Sequence, residues 1–487
     1  MDLKPSQSLT ETDVNRGLKL VIGDGLASEA MTTLTGGAFI VAMAILLGAN
    51  NLQLGLIAAL PTLVNLFQLI SIWLVRRFNN RRLVTVTCAF LARFPLIIIG
   101  IFPLLWPEWT TIELIIPILF FYYFSGAIAG ASWNSWMKDL VPGHQLGAYF
   151  AKRSSYMQTL NAVLSLLLAL GVDYIRDHQP LMELNVYGWM FIAAGVIGLS
   201  GTIFLSKTPE PKVFMTKENI FLLLRRPLKD SNFRRLLIFN SAWVFAVNIA
   251  APFFTVFMMK SMGLGLSYII GLTILSQVSS ILTVRLWGMF ADRYSNKTII
   301  AIGAPLYILC LVGWCFVGIY SQLWPNLVLL VCIHLVMGFA NAGINLSLIN
   351  IGLKLAPQSD AIFYLATKNI ITAVFSSLAP LAGGYLADYF TGRHLKIDAE
   401  WGSPSWTKAF HLVELHEWNF LFAFGALLAL IAVNRLTRVK ETGEVEKDMV
   451  VRIMRSTIRH NLKQSFLIGN LMTGYSTIKN VFRRKFF

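Results

Sequence analysis

Twelve apolar runs, each long enough to cross the roughly 30 Å hydrocarbon core of a bilayer, leave this chain no water-soluble fold. They lie near 20–47, 52–75, 83–103, 111–137, 150–172, 186–206, 236–259, 266–287, 298–319, 325–352, 361–387 and 412–434. Hydrophobic residues make up 56% of the 487 positions and charged ones 14%, with a mean hydropathy of +0.62, far from the balance of a soluble domain. The expectation is an all-α membrane protein with twelve transmembrane helices, numbered here as spans 1 to 12.

The few charges sort the connections. Of the 41 Lys and Arg residues, 35 fall in the two termini and at every second connection, counted to include those at the run ends such as Arg153, Arg285 and Lys368; five fall at the others, and Arg93 alone lies deep inside a run. Positive connections stay in the cytoplasm, so both termini are expected there, in a multi-pass plasma-membrane protein. The net charge of +16 is then explained by topology and by attraction to anionic lipid, and nucleic acid is not an expected partner. Residues 1–19 are polar and carry neither a signal-peptide core nor a small-residue cleavage site.

The chain also repeats itself. Pro142, Tyr149, Ala151 and Arg153 match Pro357, Tyr364, Ala366 and Lys368 at a constant offset of 215, and Gly55 matches Gly271 at 216. Two copies of about 200 residues, each with several apolar spans, mark a repeat-built transporter fold. The expected organisation is a cytoplasmic amino terminus (1–19), a first six-helix half (20–206), a cytoplasmic linker (207–235), a second half (236–436) and a basic tail (437–487). Pro209, Pro211 and Pro227 break the linker, and 388–411 forms a long polar connection containing His394, Asp398, Glu400 and Trp401. In the tail, Val451, Met454, Ile458 and Leu462 run near helical spacing beside Arg452, Arg455, Arg459 and Lys463. Either an amphipathic helix on anionic lipid or a disordered basic tail fits that pattern.

Between spans 8 and 9 stands Gly288-x-x-x-Asp292-Arg293-x-x-x-Lys297, a charged turn whose counterpart in the first half is Arg76-Arg77-Phe78-Asn79-Asn80-Arg81. With twelve spans in two halves and a cytoplasmic middle connection, residues 15–436 resemble the major facilitator superfamily. The resemblance implies that Asp292 braces a cytoplasmic gate by meeting the start of span 5, near Gly147 to Arg153, where a helix N-terminus favours a carboxylate. The alternative is that Asp292 only fixes a turn and topology. Arg76 and Ile72 occupy the positions where the first half of such a protein has Asp and Gly, so one gate has changed its chemistry. Arg153 and its repeat mate Lys368 are expected at the membrane surface with gate roles. The Gly-Pro-x-x-Gly-Gly element of proton-driven drug exporters is missing from span 5, and only Pro380-Leu381-Ala382-Gly383-Gly384 in span 11 is similar to it.

The resemblance further implies a central cavity lined by spans 1, 4, 7 and 10, and these are the most polar spans. Polar side chains avoid lipid and so mark the interior or a water-filled path, although Asn and Thr also join helices. Candidate lining residues are Thr33, Arg93, Trp133, Asn134, Trp136, Asn240, Trp243, Asn248, Asn341 and Asn345. Glu29, deep in span 1, is the leading proton or cation site, with a structural ion pair as the alternative. Asp24 is nearer the cytoplasmic end, as a helix cap, a headgroup contact or a second coupling candidate. Arg93, near the depth of Glu29, is its candidate partner or an anion-binding residue. His334 is either a satisfied core histidine or a third coupling candidate. Trp133 and Trp136 either stack a ligand or pack, and Gly126-x-x-x-Gly130 in span 4 is expected to allow close helix approach.

Enzyme chemistry has no motif to rest on: G-x-S-x-G, P-loop and H-E-x-x-H patterns are missing. His411, Glu414 and His416 are too loosely spaced for an expected metal, and no cofactor is implied. Cys88, Cys310, Cys315 and Cys332 all fall in apolar spans, as expected of packed free thiols. The expected function is a monomeric secondary active transporter moving a small solute by alternating access, coupled to a proton or cation gradient. The alternative is a non-transporting receptor or assembly factor of the same fold, docking through its tail.

Overall fold

The computed structural model describes residues 9–211, 225–318, 322–357, 361–403 and 406–441. Among them, twelve helices are long and apolar enough to cross a membrane. Spans 1 to 6 are Glu11–Leu46, Asn51–Phe78, Arg81–Leu105, Ile112–Leu140, Leu146–His178 and Pro180–Lys207. Spans 7 to 12 are Ser231–Lys260, Leu266–Arg293, Asn296–Trp314, Leu323–Leu355, Ala361–Phe390 and Glu417–Leu436. An even number of crossings puts Leu9 and Glu441 on one face, called here the terminal face.

Helix ends follow local chemistry. Span 1 starts at Glu11, well before the expected residue 20, because Thr10 and Asp13 form a reciprocal capping box that starts the helix outside the apolar run. Asn50 and Gln53 do the same for span 2, Asp230 caps span 7 through the N–H groups of Asn232 and Phe233, and Ser295 caps span 9. Each such cap contributes about 1 kcal/mol. Span 12 starts at Glu417 instead of 412. The residues before it form an antiparallel hairpin, β1 (His394–Ser403) and β2 (Trp406–His416), within the expected polar connection. Alternating apolar and polar residues in Val413–His416 sit in a strand as readily as they open a span. The side chains of Asp398, Glu400, Trp401, His411 and Glu414 lie outside the described residues, as does the tail beyond Glu441.

Spans 1 and 7 are each broken within their length. Span 1 breaks where Gly36 is extended and Gly37 takes φ +56°, and span 7 breaks at Ile249–Ala250. The two breaks are 213 positions apart, two short of the repeat offset, so both halves carry an interrupted helix at nearly the same place.

Among the described residues, the halves meet tightly only on the face opposite the termini. Asp173 of span 5 accepts hydrogen bonds from the backbone N–H groups of Leu266 and Ser267, both 2.8 Å, at the start of span 8. Asp388 of span 11 accepts from Asn51 and Leu52, both 3.0 Å, at the start of span 2. Acids and donors are all related by 215 positions, so one latch is built twice. Each sets a carboxylate against the positive end of a helix, worth up to about 2 kcal/mol when partly buried. Lys260 adds a third tie, donating to the Ala49 carbonyl and Asn51 Oδ1, both at 3.4 Å.

The Pro-x-x-Gly-Gly element belongs to this seal. A Cβ on Gly384 would collide with the Asn51 carbonyl, one on Gly55 with the Pro380 carbonyl, and one on Gly383 with the Ile249 carbonyl. These glycines let span 11 touch spans 2 and 7 backbone to backbone. Toward the terminal face span 2 leaves span 11: its first part, Asn51–Leu63, packs there, and its last part, Gln68–Phe78, makes almost no contact.

Each half closes its own terminal-face corner. Glu210, just after span 6, accepts from the N–H groups of Arg81 (2.8 Å) and Arg82 (3.0 Å) at the start of span 3. Glu441, after span 12, accepts from those of Asn296 (3.3 Å) and Lys297 (2.8 Å) at the start of span 9. Burial pushes the Glu441 carboxyl up, but its bonds from Lys297, Asn296, Lys354 and Ser295 outweigh this and hold it below the usual glutamate range. Arg81, 1% exposed, also pairs with Asp139 at 2.6 Å.

Of the four cysteines, Cys88, Cys310 and Cys315 are buried and free, while Cys332 is free but exposed on span 10 and not packed as expected.

Candidate transport cavity

Three cavities share walls and run from the terminal face toward the seal. The largest, about 680 Å³, lies between the halves, with Asn65, Gln68 and Ser135 on one side and Asn369, Thr372 and Ser376 on the other. Asn65 and Gln68 also line a second cavity of about 460 Å³ inside the first half, bounded by Asp24, Thr85, Arg93, Trp133 and Arg153. Thr32 joins that one to a third of about 320 Å³ beside the break in span 1, where Thr33, Asn161, Thr255 and Gln277 meet under the sealed face. The walls are mixed polar and apolar, as solute sites are.

Arg93 pairs with Asp24, not with Glu29. Its Nη2 donates to Asp24 Oδ1 at 2.9 Å and to Ser28 Oγ at 2.7 Å, and its Nη1 to the Gly198 carbonyl at 2.7 Å and Thr202 Oγ1 at 3.0 Å. Span 6 supplies the slot: a Cβ on Gly201 would meet Arg93 Nη1 at 2.8 Å and Asp24 Oδ1 at 3.0 Å. Span 3 thus reaches span 1 through a gap that only glycine leaves open. Asp24 is 4% exposed, so it neither caps the helix nor meets headgroups. A bond-satisfied guanidinium with a carboxylate partner is electrically closed.

Glu29 is half-buried and makes no ion pair among the described residues; Arg153 and Asn161 are its polar neighbours. Asn161 Nδ2 donates to Thr33 Oγ1 at 2.9 Å, tying span 5 to span 1 beside it. Arg153 and Lys368, expected as gate residues at the membrane surface, both turn into the helix packing and not onto an open face. Lys368 is 8% exposed and donates to the Leu348 carbonyl in span 10. Arg153 lies with its guanidinium 4.8 Å from the Trp133 ring and against the backbone of Gly25 in span 1.

The remaining candidates divide. Trp133 and the exposed Asn134 line the second cavity. Trp136 does not: it is fully buried and its Nε1 donates to the Pro209 carbonyl at 3.0 Å, anchoring the start of the linker. Trp243 packs edge-on against Tyr307, Asn240 bonds Thr372 Oγ1 at 2.7 Å, and Asn248 bonds the Val244 carbonyl at 2.8 Å within its own span. Asn341 and the exposed Asn345 border none of the three cavities, and His334 is buried with Nδ1 2.8 Å from the Leu330 carbonyl and its ring against Trp314. Spans 2, 5, 8 and 11 supply the wall expected from span 10. Gly126 and Gly130 do not bring helices together. Nothing stands within 4 Å of a Cβ on either, and both widen the second cavity.

Of the expected gate motif, Gly288 lies within span 8, and Lys297 Nζ donates to the Thr437 carbonyl at 3.4 Å. Asp292 and Arg293 are exposed, and Asp292 makes no hydrogen bond or ion pair among the described residues, so it does not meet the start of span 5 in this conformation. With the seal on the opposite face, the two halves stand apart where that brace would form.

Interrupted helices, a duplicated six-helix half and a cavity closed on one face only define a repeat-built membrane carrier. The family model of the major facilitator superfamily matches residues 25–361, and the chain belongs to that superfamily. No curated protein compared with the sequence matches significantly. Among solved structures, the chain is similar to the nucleoside transporter NupG (14% identity, TM-score 0.64, 88% of this chain and 100% of that one). It is also similar to a D-xylose-proton symporter (17% identity, TM-score 0.60, 88% and 98%) and to a bacterial metal transporter (13%, 0.56, 89% and 99%). At these identities the likeness is one of fold.

Proposed function

We propose that the protein is a secondary active transporter that moves a small solute across the plasma membrane by alternating access, here with its cavity facing the cytoplasm. The observation that carries this is the one-sided closure: two repeat-related carboxylate latches seal one face, and the cavities lie toward the other. The excess of Lys and Arg in the termini and in the connections on their side supports reading the terminal face as cytoplasmic. A receptor or assembly factor has no use for a seal duplicated on one face, so transport stands ahead of that reading. Structural neighbours named for nucleosides, xylose and metal leave the cargo class to the cavity itself.

Glu29 is the coupling group in this proposal. It is half-buried beside the passage between the second and third cavities, without the ion pair that closes Asp24. Uptake by purified protein in proteoliposomes tests both parts. Glu29→Gln is expected to keep solute exchange at equal concentrations and to lose accumulation driven by a proton gradient. Accumulation at the wild-type level would remove Glu29 from the coupling step. No exchange of any solute by the wild type would remove the transport reading.

A further inference from the structure

The wall of the second cavity carries three buried polar atoms with no hydrogen-bond partner: Arg153 Nε, Trp133 Nε1 and Thr85 Oγ1. Buried donors are nearly always satisfied in folded proteins, by protein, water or ligand. Three on one wall therefore mark a place built for something else to occupy. Thr85 is 1% exposed, so bulk water does not satisfy its hydroxyl. The two guanidiniums on this wall differ. Arg93 is neutralised by Asp24 and hydrogen-bonded through both Nη atoms. Arg153 has the Trp133 ring over one face and Gly25 against it, yet it makes no hydrogen bond and no ion pair among the described residues. Glu29 and Asp24 act on it only at longer range. With Asp24 and Arg93 cancelling, the wall is left with one positive charge whose donors are free.

We propose that this cavity takes a small organic anion, a carboxylate or a phosphate ester. Its acidic group is seated on Arg153, with the Trp133 indole N–H and the Thr85 hydroxyl as further donors. Guanidinium is the side chain best matched to both oxyanions, and fixing the cation between an aromatic ring and a backbone preorganises it for them. Gly126 and Gly130 supply the room. This names the substrate class of the proposed transporter and rests on that reading.

The test uses the full chain in nanodiscs of zwitterionic lipid. Ligand-induced thermal stabilisation is measured with short mono- and dicarboxylates and sugar phosphates, each beside its neutral amide, ester or parent sugar. At least one anion is expected to stabilise the protein while its neutral counterpart does not. Arg153→Gln is expected to weaken that binding on the order of 10- to 100-fold, Arg153→Lys less, and Trp133→Phe, which keeps the ring and removes the N–H, by several-fold. Thr85→Val serves where an Arg153 variant fails to fold. Equal binding of neutral counterparts, unchanged affinity in Arg153→Gln, or no stabilisation by any anion at millimolar concentration overturns the proposal. Adding anionic phospholipid to the nanodisc separates a free solute from a headgroup: retained affinity supports a solute site, and loss of soluble-anion binding overturns it. Should an anion bind through Arg153 but never be taken up by proteoliposomes, the transport reading fails and the anion site stands.

Discussion

Arg93 shows how far a single residue can be read in one dimension. As the one basic residue deep inside an apolar run, it is conspicuous in the sequence. Its partner is not, because the pairing depends on Gly198 and Gly201 of a third helix opening a slot. Depth along the spans pointed to Glu29, and packing chose Asp24. Breaking a buried pair by removing one partner strands the other charge, which costs about 3–5 kcal/mol. Asp24→Ala is therefore expected to lower thermal stability strongly, and Asp24→Leu combined with Arg93→Met to recover most of the loss. A double variant no more stable than the single one would show that the pair is not what these groups contribute. Arg153 stood in the sequence as a gate residue by its repeat mate, whereas its unsatisfied donors are visible only in three dimensions.

At the scale of elements, the same offset that aligned Arg153 with Lys368 also aligns Asp173 with Asp388, and the starts of spans 8 and 2 with each other. The duplicated latch was thus legible, hidden because both acids stand at the edges of apolar runs and pass for loop residues. Two other features were not legible. Strand and helix compete for short apolar segments such as Leu412–His416, and the glycines of span 4 and span 11 have opposite uses, the first leaving space and the second closing it. The two latches are unequal: span 11 touches span 2 backbone to backbone through Gly55 and Gly384, while nothing stands within 4 Å of a Cβ on Gly271, the mate of Gly55. Asp388→Asn removes the carboxylate from a helix start and is expected to cost about 1–2 kcal/mol of closure. In a cysteine-free background carrying Thr255→Cys beneath the seal, labelling by a membrane-impermeant thiol reagent from the latched side is expected to rise on the order of 5- to 30-fold. Unchanged labelling would show that the glycine contacts, not the carboxylate, hold the seal.

Across the whole molecule, membrane class, twelve spans and duplication follow from hydropathy, charge placement and repeat offset, because bilayer thickness and backbone satisfaction allow few alternatives. The cavities do not follow, since they depend on which polar faces the packing leaves unfilled. The central claim is that the halves exchange this one-sided closure for its reverse. Pulsed dipolar spectroscopy on the full chain in nanodiscs tests it with two pairs of spin labels at exposed positions: Phe78 with Met289 near the terminal face, and Tyr174 with Tyr268 near the sealed one. The account predicts a long first distance and a short second one in the resting protein. It also predicts that Asp173→Asn with Asp388→Asn shifts population toward the reverse, the first distance shortening as the second lengthens. Distances that stay fixed in both proteins, or that change in the same direction at both faces, would contradict it.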